Sequence, residues 1–200
     1  MCDTLRKSPS GDPSRDPSKA PSKFPTIFFD FETYYDNEYS LKNLSVEAYV
    51  GDPRFEVLLL GLRLKYPDGE MDEDVVEVRD IGELVYFINE RYPGSTWVAH
   101  NAWFDGYILE NHFGVHPRRM LCTAAMANYH GLTWVCGRSL AALSEHLGLG
   151  AKGDFLTQSL GKRLEDFDGP GLAAFKDYCR EDVNLTAKLY NLFLAWGFGE

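Results

Sequence analysis

Apolar runs of strand length and stretches with helical spacing alternate along this chain, starting near residue 25. In "TIFFDFE" (26–32) an extended backbone sends Phe29 and Phe31 to one face and Asp30 and Glu32 to the other. "FEVLLLGLRLKY" (55–66) predicts a longer second strand, closed by a turn at Pro67-Asp68-Gly69. "DVVEVRD" (74–80) predicts a short third one. Leu84, Val85 and Ile88 have helical spacing, which predicts a helix over 81–92 that Pro93-Gly94 stops. "STWVAHN" (95–101) predicts another strand, running directly into a helix over 102–113 that ends at Gly114. Further helices are expected near 122–130, 138–147 and 171–195. The expected fold class is α/β, a mixed sheet flanked by helices.

The stretch before this pattern, residues 1–24, is rich in Pro, Ser and Lys and nearly free of apolar side chains. Such a segment cannot offset the entropy of its own ordering, so a disordered tail is expected there, followed by one folded domain over 25–200. The tail has no apolar core of a secretion signal, and its three Asp residues argue against a mitochondrial targeting helix. No run approaches membrane-spanning length. A cytoplasmic location is therefore expected.

Of 20 basic and 30 acidic residues, the tail takes five and three, so residues 25–200 carry a net charge of −12. Tight duplex binding relies on many Lys and Arg contacts to phosphate and does not suit this balance. Handling a nucleic-acid end remains compatible with it, because bound cations can neutralise acids locally. Cys2, Cys122, Cys136 and Cys179 form no C-x-x-C pair, and reduced thiols without structural zinc are expected. "GLGAKG" (148–153) matches a dinucleotide-binding pattern in form only, because it follows a helical stretch; it reads as a helix stop and a flexible loop.

Three segments place carboxylates where a core pattern does not need them. Asp30 and Glu32 share a strand face. Asn101 stands at a strand-to-helix junction suited to capping, with Asp105 one turn into the helix. Tyr178 and Asp182, at i and i+4, lie one above the other on a helix face. Asp30, Glu32, Asp105 and Asp182 can together supply the hard oxygen ligands that two divalent ions about 4 Å apart require for phosphoryl chemistry. Tyr178 can hydrogen-bond an attacking water. Trp103 can stack on a base, Phe104 reads as core, and His100 can support the second segment by hydrogen bonding. Lys152, Lys162 and Arg163 read equally as phosphate contacts or as a solvated basic face.

"DFET", "HNAWFD" and "YCRED" resemble, in order and separation, the three motifs D-x-E, N-x-x-x-D and Y-x-x-x-D of the DEDD superfamily of 3'-to-5' exonucleases. The resemblance covers residues 25 to about 195 and is nearest to proofreading domains of family A DNA polymerases of bacterial and phage type. It implies a ribonuclease H-like fold, two divalent ions (Mg2+ or Mn2+), and removal of nucleoside monophosphates from single-stranded DNA 3' ends. By position, Asp30, Glu32 and Asp182 would hold the ion that activates water. Asp30 and Asp105 would contact the second ion, and Tyr178 with Glu32 would orient the nucleophile. Thr33 and Asn101 match positions that steady the terminal nucleotide or the ligand shell. Asp177 stands where another branch of the superfamily has a histidine base, which places this chain in the tyrosine branch.

No polymerase follows the third motif here, so the expectation is either a free-standing exonuclease working beside a separately encoded polymerase, in a bacterium or an infected host cell, or an excised fragment of a longer product. The initiator Met and the leader favour a complete gene product over an excised fragment. Two other readings stay open: an RNA-processing exonuclease of the same branch, and a non-catalytic polymerase accessory module, which would usually lack one of the acids.

Overall fold

The computed structural model describes residues 23–153 and 155–198. The expectation of a disordered tail over 1–24 lies, except for its last two residues, outside the described residues. Among the described residues five strands make one sheet: β1 (Thr26–Thr33), β2 (Val57–Lys65), β3 (Met71–Glu77), β4 (Thr96–Ala99) and β5 (Arg119–Cys122), in the order β3-β2-β1-β4-β5. β1, β2 and β3 pair antiparallel, while β4 runs parallel to both β1 and β5. This is the mixed, helix-flanked α/β sheet that the alternating pattern predicts.

β3 covers 71–77, earlier than the 74–80 expected. The Tyr66 N–H donates to Glu70 O at 2.9 Å, and this tight turn sets Met71 directly opposite Lys65. Val78 to Asp80 then belong to the first turn of helix α2 (Val78–Arg91), once α1 (Val46–Val50) has been passed. β5 was not expected at all. Its four residues are too few to show alternation, and their strand identity comes from in-register pairing with β4, from Thr96↔Arg119 to Ala99↔Cys122. The helix expected over 102–113 divides into α3 (Ala102–Tyr107) and a π-helical turn, Ile108–His112.

The remaining helices are α4 (Thr123–Tyr129), α5 (Thr133–Cys136), α6 (Leu140–His146), α7 (Leu156–Ser159) and α8 (Gly169–Ala195), with a 3-10 turn at Leu164–Asp166. α8 starts where Asp168 Oδ1 accepts the Gly171 N–H at 2.7 Å and Pro170 fits the first turn. None of the helices among the described residues is long and apolar enough to cross a membrane.

Apolar side chains cover both faces of the sheet. Ile27, Phe29 and Phe31 of β1 pack with Leu60, Leu62, Trp97 and, from α2, Ile81, Val85 and Ile88. On the opposite face Phe28 and Val98 pack with Met126, Leu143 and the α8 residues Val183, Leu189 and Phe193. A strand buried on both faces reads as a continuous apolar run, which accounts for "VLLLGL" in β2.

Gly61 determines how closely α8 approaches. It pairs with Asp30 across the β1/β2 ladder. A Cβ built there would stand 2.7 Å from Val183 Cγ2 and 3.0 Å from Cys179 Sγ. Only a bare backbone lets this helix lie against the strand beside the acids. Gly61→Val is expected to destabilise the protein by about 1–3 kcal/mol, as overpacking does, and to push α8 away from β1. Urea denaturation checks the first effect, and the loss of nuclease activity at temperatures where the variant stays folded checks the second.

Candidate active site

Asp30 and Glu32 project from the α8 face of β1, on the same side as Phe28, whose ring meets Tyr190 of α8 edge-on at 5.4 Å. From Phe28 to Glu32 this face therefore changes from core to carboxylate within four residues. Just beyond, the β1/β2 register shifts between Glu32 and Thr33. Such a bulge bends the strand end and re-aims its side chains.

Asp105 reaches this strand from α3. Its Oδ1 accepts the Phe31 N–H at 3.1 Å, between the two acids of β1. β4 pairs with β1 only as far as Phe28↔Val98, so Phe31 needs another acceptor, and a buried carboxylate supplies it. The turn into α3 is made by Asn101, the one non-glycine residue with positive φ (73°) among the described residues. The expected capping is absent: the Asn101 side chain makes no cap bond, and its Oδ1 instead accepts from Arg138 Nη2 at 3.0 Å. In the αL conformation the side chain is turned away from the helix N–H groups that it would cap.

α8 completes the cluster. Tyr178 and Asp182 are both buried on its sheet-facing side. Asp182 Oδ2 accepts from the Lys152 ammonium, and the Lys152 Nζ also lies 5.0 Å over the Tyr178 ring. Asp182 Oδ1 is buried without a partner. Cys179 lies beneath, its sulfur within 4.8 Å of carboxylate oxygens of Asp30 and Glu32. The structure thus brings together Asp30, Glu32, Asp105, Tyr178 and Asp182. Lys152 and Cys179 join them.

The electrostatics follow from burying like charges together. Burial, then the carboxylates of Asp105, Glu32 and Asp182, hold the Asp30 pKa well above the usual range. Burial and Asp182 push Glu32 up to about 8. Asp105 rises to about 7 by burial, although the Phe31 N–H opposes the shift. Burial also raises Asp182 against the pull of Lys152. Tyr178 is raised by burial and by Asp182 and Glu32, so it stays a phenol. The Cys179 thiol is raised by burial and by Glu32 and Asp30, and a protonated sulfur is a poor ligand for a hard cation.

A divalent cation fits this donor set. Its oxygens are hard, the excess negative charge calls for one, and the orphaned Asp182 Oδ1 is a buried acceptor with nothing to accept from.

The other expected residues sit around this centre. Thr33 Oγ1 is 2.8 Å from the Tyr49 hydroxyl, which itself donates to Tyr34 O, so Thr33 is tied into the scaffold. His100 meets Thr123 Oγ1 at 2.8 Å and Arg138 O at 2.9 Å, and burial lowers its pKa to about 4, leaving a neutral ring that braces the second motif. Phe104 packs against the core, whereas Trp103, two residues from Asp105 and so nearly opposite it on the helix, is 64% exposed. Trp103, Asn101, Thr133 and Arg138 line a cleft of about 570 Å³ on that side. Asp177 is solvent-facing and pairs with Arg180. Of the three basic residues, Lys162 lies 5.1 Å over the Phe167 ring and Arg163 pairs with Glu56; only Lys152 enters the centre. Its place was hidden in the sequence, because the loop that carries it has no periodic pattern.

With this geometry in view, comparison with known proteins gives a class. A family described as 3'-5' exonuclease matches residues 18–195, and the chain belongs to that family, the DEDD exonucleases, which use divalent metals. Among solved structures it is similar to a nuclease in its apo form (20% identity, TM-score 0.59, covering 85% of this chain and 72% of that one). It is also similar to the catalytic core of RRP6 from Trypanosoma brucei (15%, 0.58, 84% and 40%). A third is NrnC from Brucella melitensis with bound Mg2+ (18%, 0.55, 88% and 74%). These likenesses establish the ribonuclease H-like fold. No curated protein matches the chain in sequence.

Carboxyls with raised pKa values stabilise the folded state most below their unfolded pKa, and that contribution is lost as pH rises through the folded values. Metal-free protein is therefore expected to lose thermal stability between the ordinary carboxylate range and about pH 8, the Glu32 value. Added Mg2+ or Mn2+ is expected to raise the melting temperature more above this window than below it, because ligands must first release their protons. Differential scanning calorimetry across pH, with and without the ion, checks both.

Proposed function

We propose that this protein is a two-metal-ion exonuclease that removes nucleoside monophosphates from single-stranded DNA 3' ends, proofreading for a separately encoded DNA polymerase. The observation that carries the proposal is the convergence of all four acids and Tyr178 from β1, α3 and α8 on one spot, in a chain that belongs to the 3'-5' exonuclease family. The net charge of −12 over residues 25–200 supports a transient grip on a strand end over tight duplex binding.

When bound, two divalent ions supply an activated water and neutralise the charge of the phosphodiester. The protein's own part is placement. Asp30, Glu32 and Asp182 would hold the ion that activates water, and Asp30 and Asp105 would hold the second. The Phe31 N–H fixes the Asp105 carboxylate, and β1 itself fixes Asp30 and Glu32. Tyr178, held as a phenol beside Asp182 and Glu32, has a proton to give or share and would align the attacking water together with Glu32. Thr33 at the strand end and Asn101 at the turn into α3 would steady the terminal nucleotide or the ligand shell.

A second reading takes RNA ends. NrnC, similar in fold, has been solved bound to pGG, and the four acids make no use of the 2' position. Matched DNA and RNA oligonucleotides separate the two: the proposal expects faster trimming of DNA, and faster trimming of RNA would replace it.

With 3'-labelled single-stranded DNA and Mg2+ or Mn2+, mononucleotide release is expected. Asp30→Ala or Asp182→Ala should reduce it by at least about 100-fold, because each removes a ligand that the transition state needs. Tyr178→Phe should slow turnover by about 10- to 100-fold while leaving Mn2+ affinity nearly unchanged, since only the direction of the water is lost. Release that persists in Asp30→Ala would rule out this centre.

A further inference from the structure

The four acids and the phenol account for the expected chemistry, but not for the cation among them. Lys152 lies on the segment between α6 and α7, after Gly148 (φ +66°) and Gly150 (φ +139°). A Cβ at Gly150 would stand 3.3 Å from Leu185, and the Lys188 ammonium donates to Leu149 O at 3.1 Å, so the start of the segment is seated on α8. From there the Lys152 stem reaches inward, its side chain only 23% exposed, and its ammonium binds Asp182 Oδ2 and covers the Tyr178 ring. The charges of Asp30, Glu32 and Asp105 all feel it.

Beside the same segment is a cleft of about 340 Å³, lined by Ala151, Gly153, Phe155 and the α8 residues Asp177, Tyr178 and Glu181. Asp177 and Glu181 face solvent, with side chains 76% and 40% exposed. A lysine stem therefore has two acidic destinations: Asp182 inside and this pair outside. Asp177 holds the Arg180 guanidinium and Glu181 lies 3.7 Å from the Lys188 ammonium, so the outer pair already attracts cations.

We propose that Lys152 is the resident counter-ion of the metal-free centre, and that a divalent ion arriving at Asp182 displaces its ammonium outward, toward Asp177 and Glu181. The inference rests on the reading of the four acids as ion ligands. With the ammonium on Asp182 Oδ2 and the unpartnered Oδ1 open to a divalent cation, the two positive charges would repel across one carboxylate. The buried acids thus keep a partner before metal arrives, at the cost of weaker metal binding. Entry of the ion and release of the loop side chain become one event.

Isothermal titration with Mn2+ tests this. Lys152→Met and Lys152→Gln should bind Mn2+ about tenfold more tightly than wild type, whereas Lys152→Arg, which keeps the charge, should not. In parallel, hydrogen exchange at the amides of residues 149–153 should speed up in wild type when Mn2+ is added and stay unchanged in Lys152→Met. Neutral variants that bind Mn2+ no more tightly than wild type, or wild-type exchange that ignores Mn2+, would overturn the proposal while leaving the metal reading in place. A wild-type protein that binds no Mn2+ would overturn both. Should the neutral variants fail to fold, the wild-type exchange experiment decides.

Discussion

The structure depends on one costly act, gathering two buried carboxylates, Asp105 and Asp182, and two half-buried ones, Asp30 and Glu32, in one place. Isolated buried charges of one sign are among the least favourable arrangements a fold can adopt, and a protein keeps them only where something else fixes their positions. Here three separate devices do so. The ladder of β1 sets the spacing of Asp30 and Glu32, a strand N–H holds Asp105, and a helix laid against a glycine brings Asp182 and Tyr178 over the strand. All three devices belong to the chain itself, and the cost of the arrangement appears as carboxyl pKa values displaced upward.

This constraint explains features that look unrelated in the chain. β4 is short so that the Phe31 N–H is left for Asp105. Asn101 takes a left-handed conformation because a strand must turn into a helix quickly enough to place Asp105 one turn later. Gly61 is bare because the helix that carries the third motif has to approach the strand at backbone distance. The aromatic residues around the acids, Phe29 and Phe31 on one face and Phe28 on the other, are the rigid ground on which the charges stand.

Much of this was legible in the sequence. The period-two pattern of "TIFFDFE" separated the acids from Phe29 and Phe31, and the i, i+4 spacing of Tyr178 and Asp182 put them on one helix face; both relations are local, and local relations survive folding. β5 was not legible, because four residues acquire strand identity only from a neighbour. The limits of β3 were misplaced because a turn hydrogen bond sets its register, and apolar content does not reveal that. Lys152 was seen as one of three basic residues with no way to choose among them. Which one enters the centre depends on a loop path that only tertiary packing defines.

The central proposal is that these four acids form one divalent-cation centre and hold two ions there. Crystals soaked in Mn2+ and measured at a wavelength where manganese scatters anomalously test it most directly. The account predicts two anomalous peaks per chain, one contacting Asp30, Glu32 and Asp182 and the other contacting Asp30 and Asp105, and no peak at either position in Asp30→Ala. Peaks elsewhere on the acidic surface, with none among these four side chains, would contradict it.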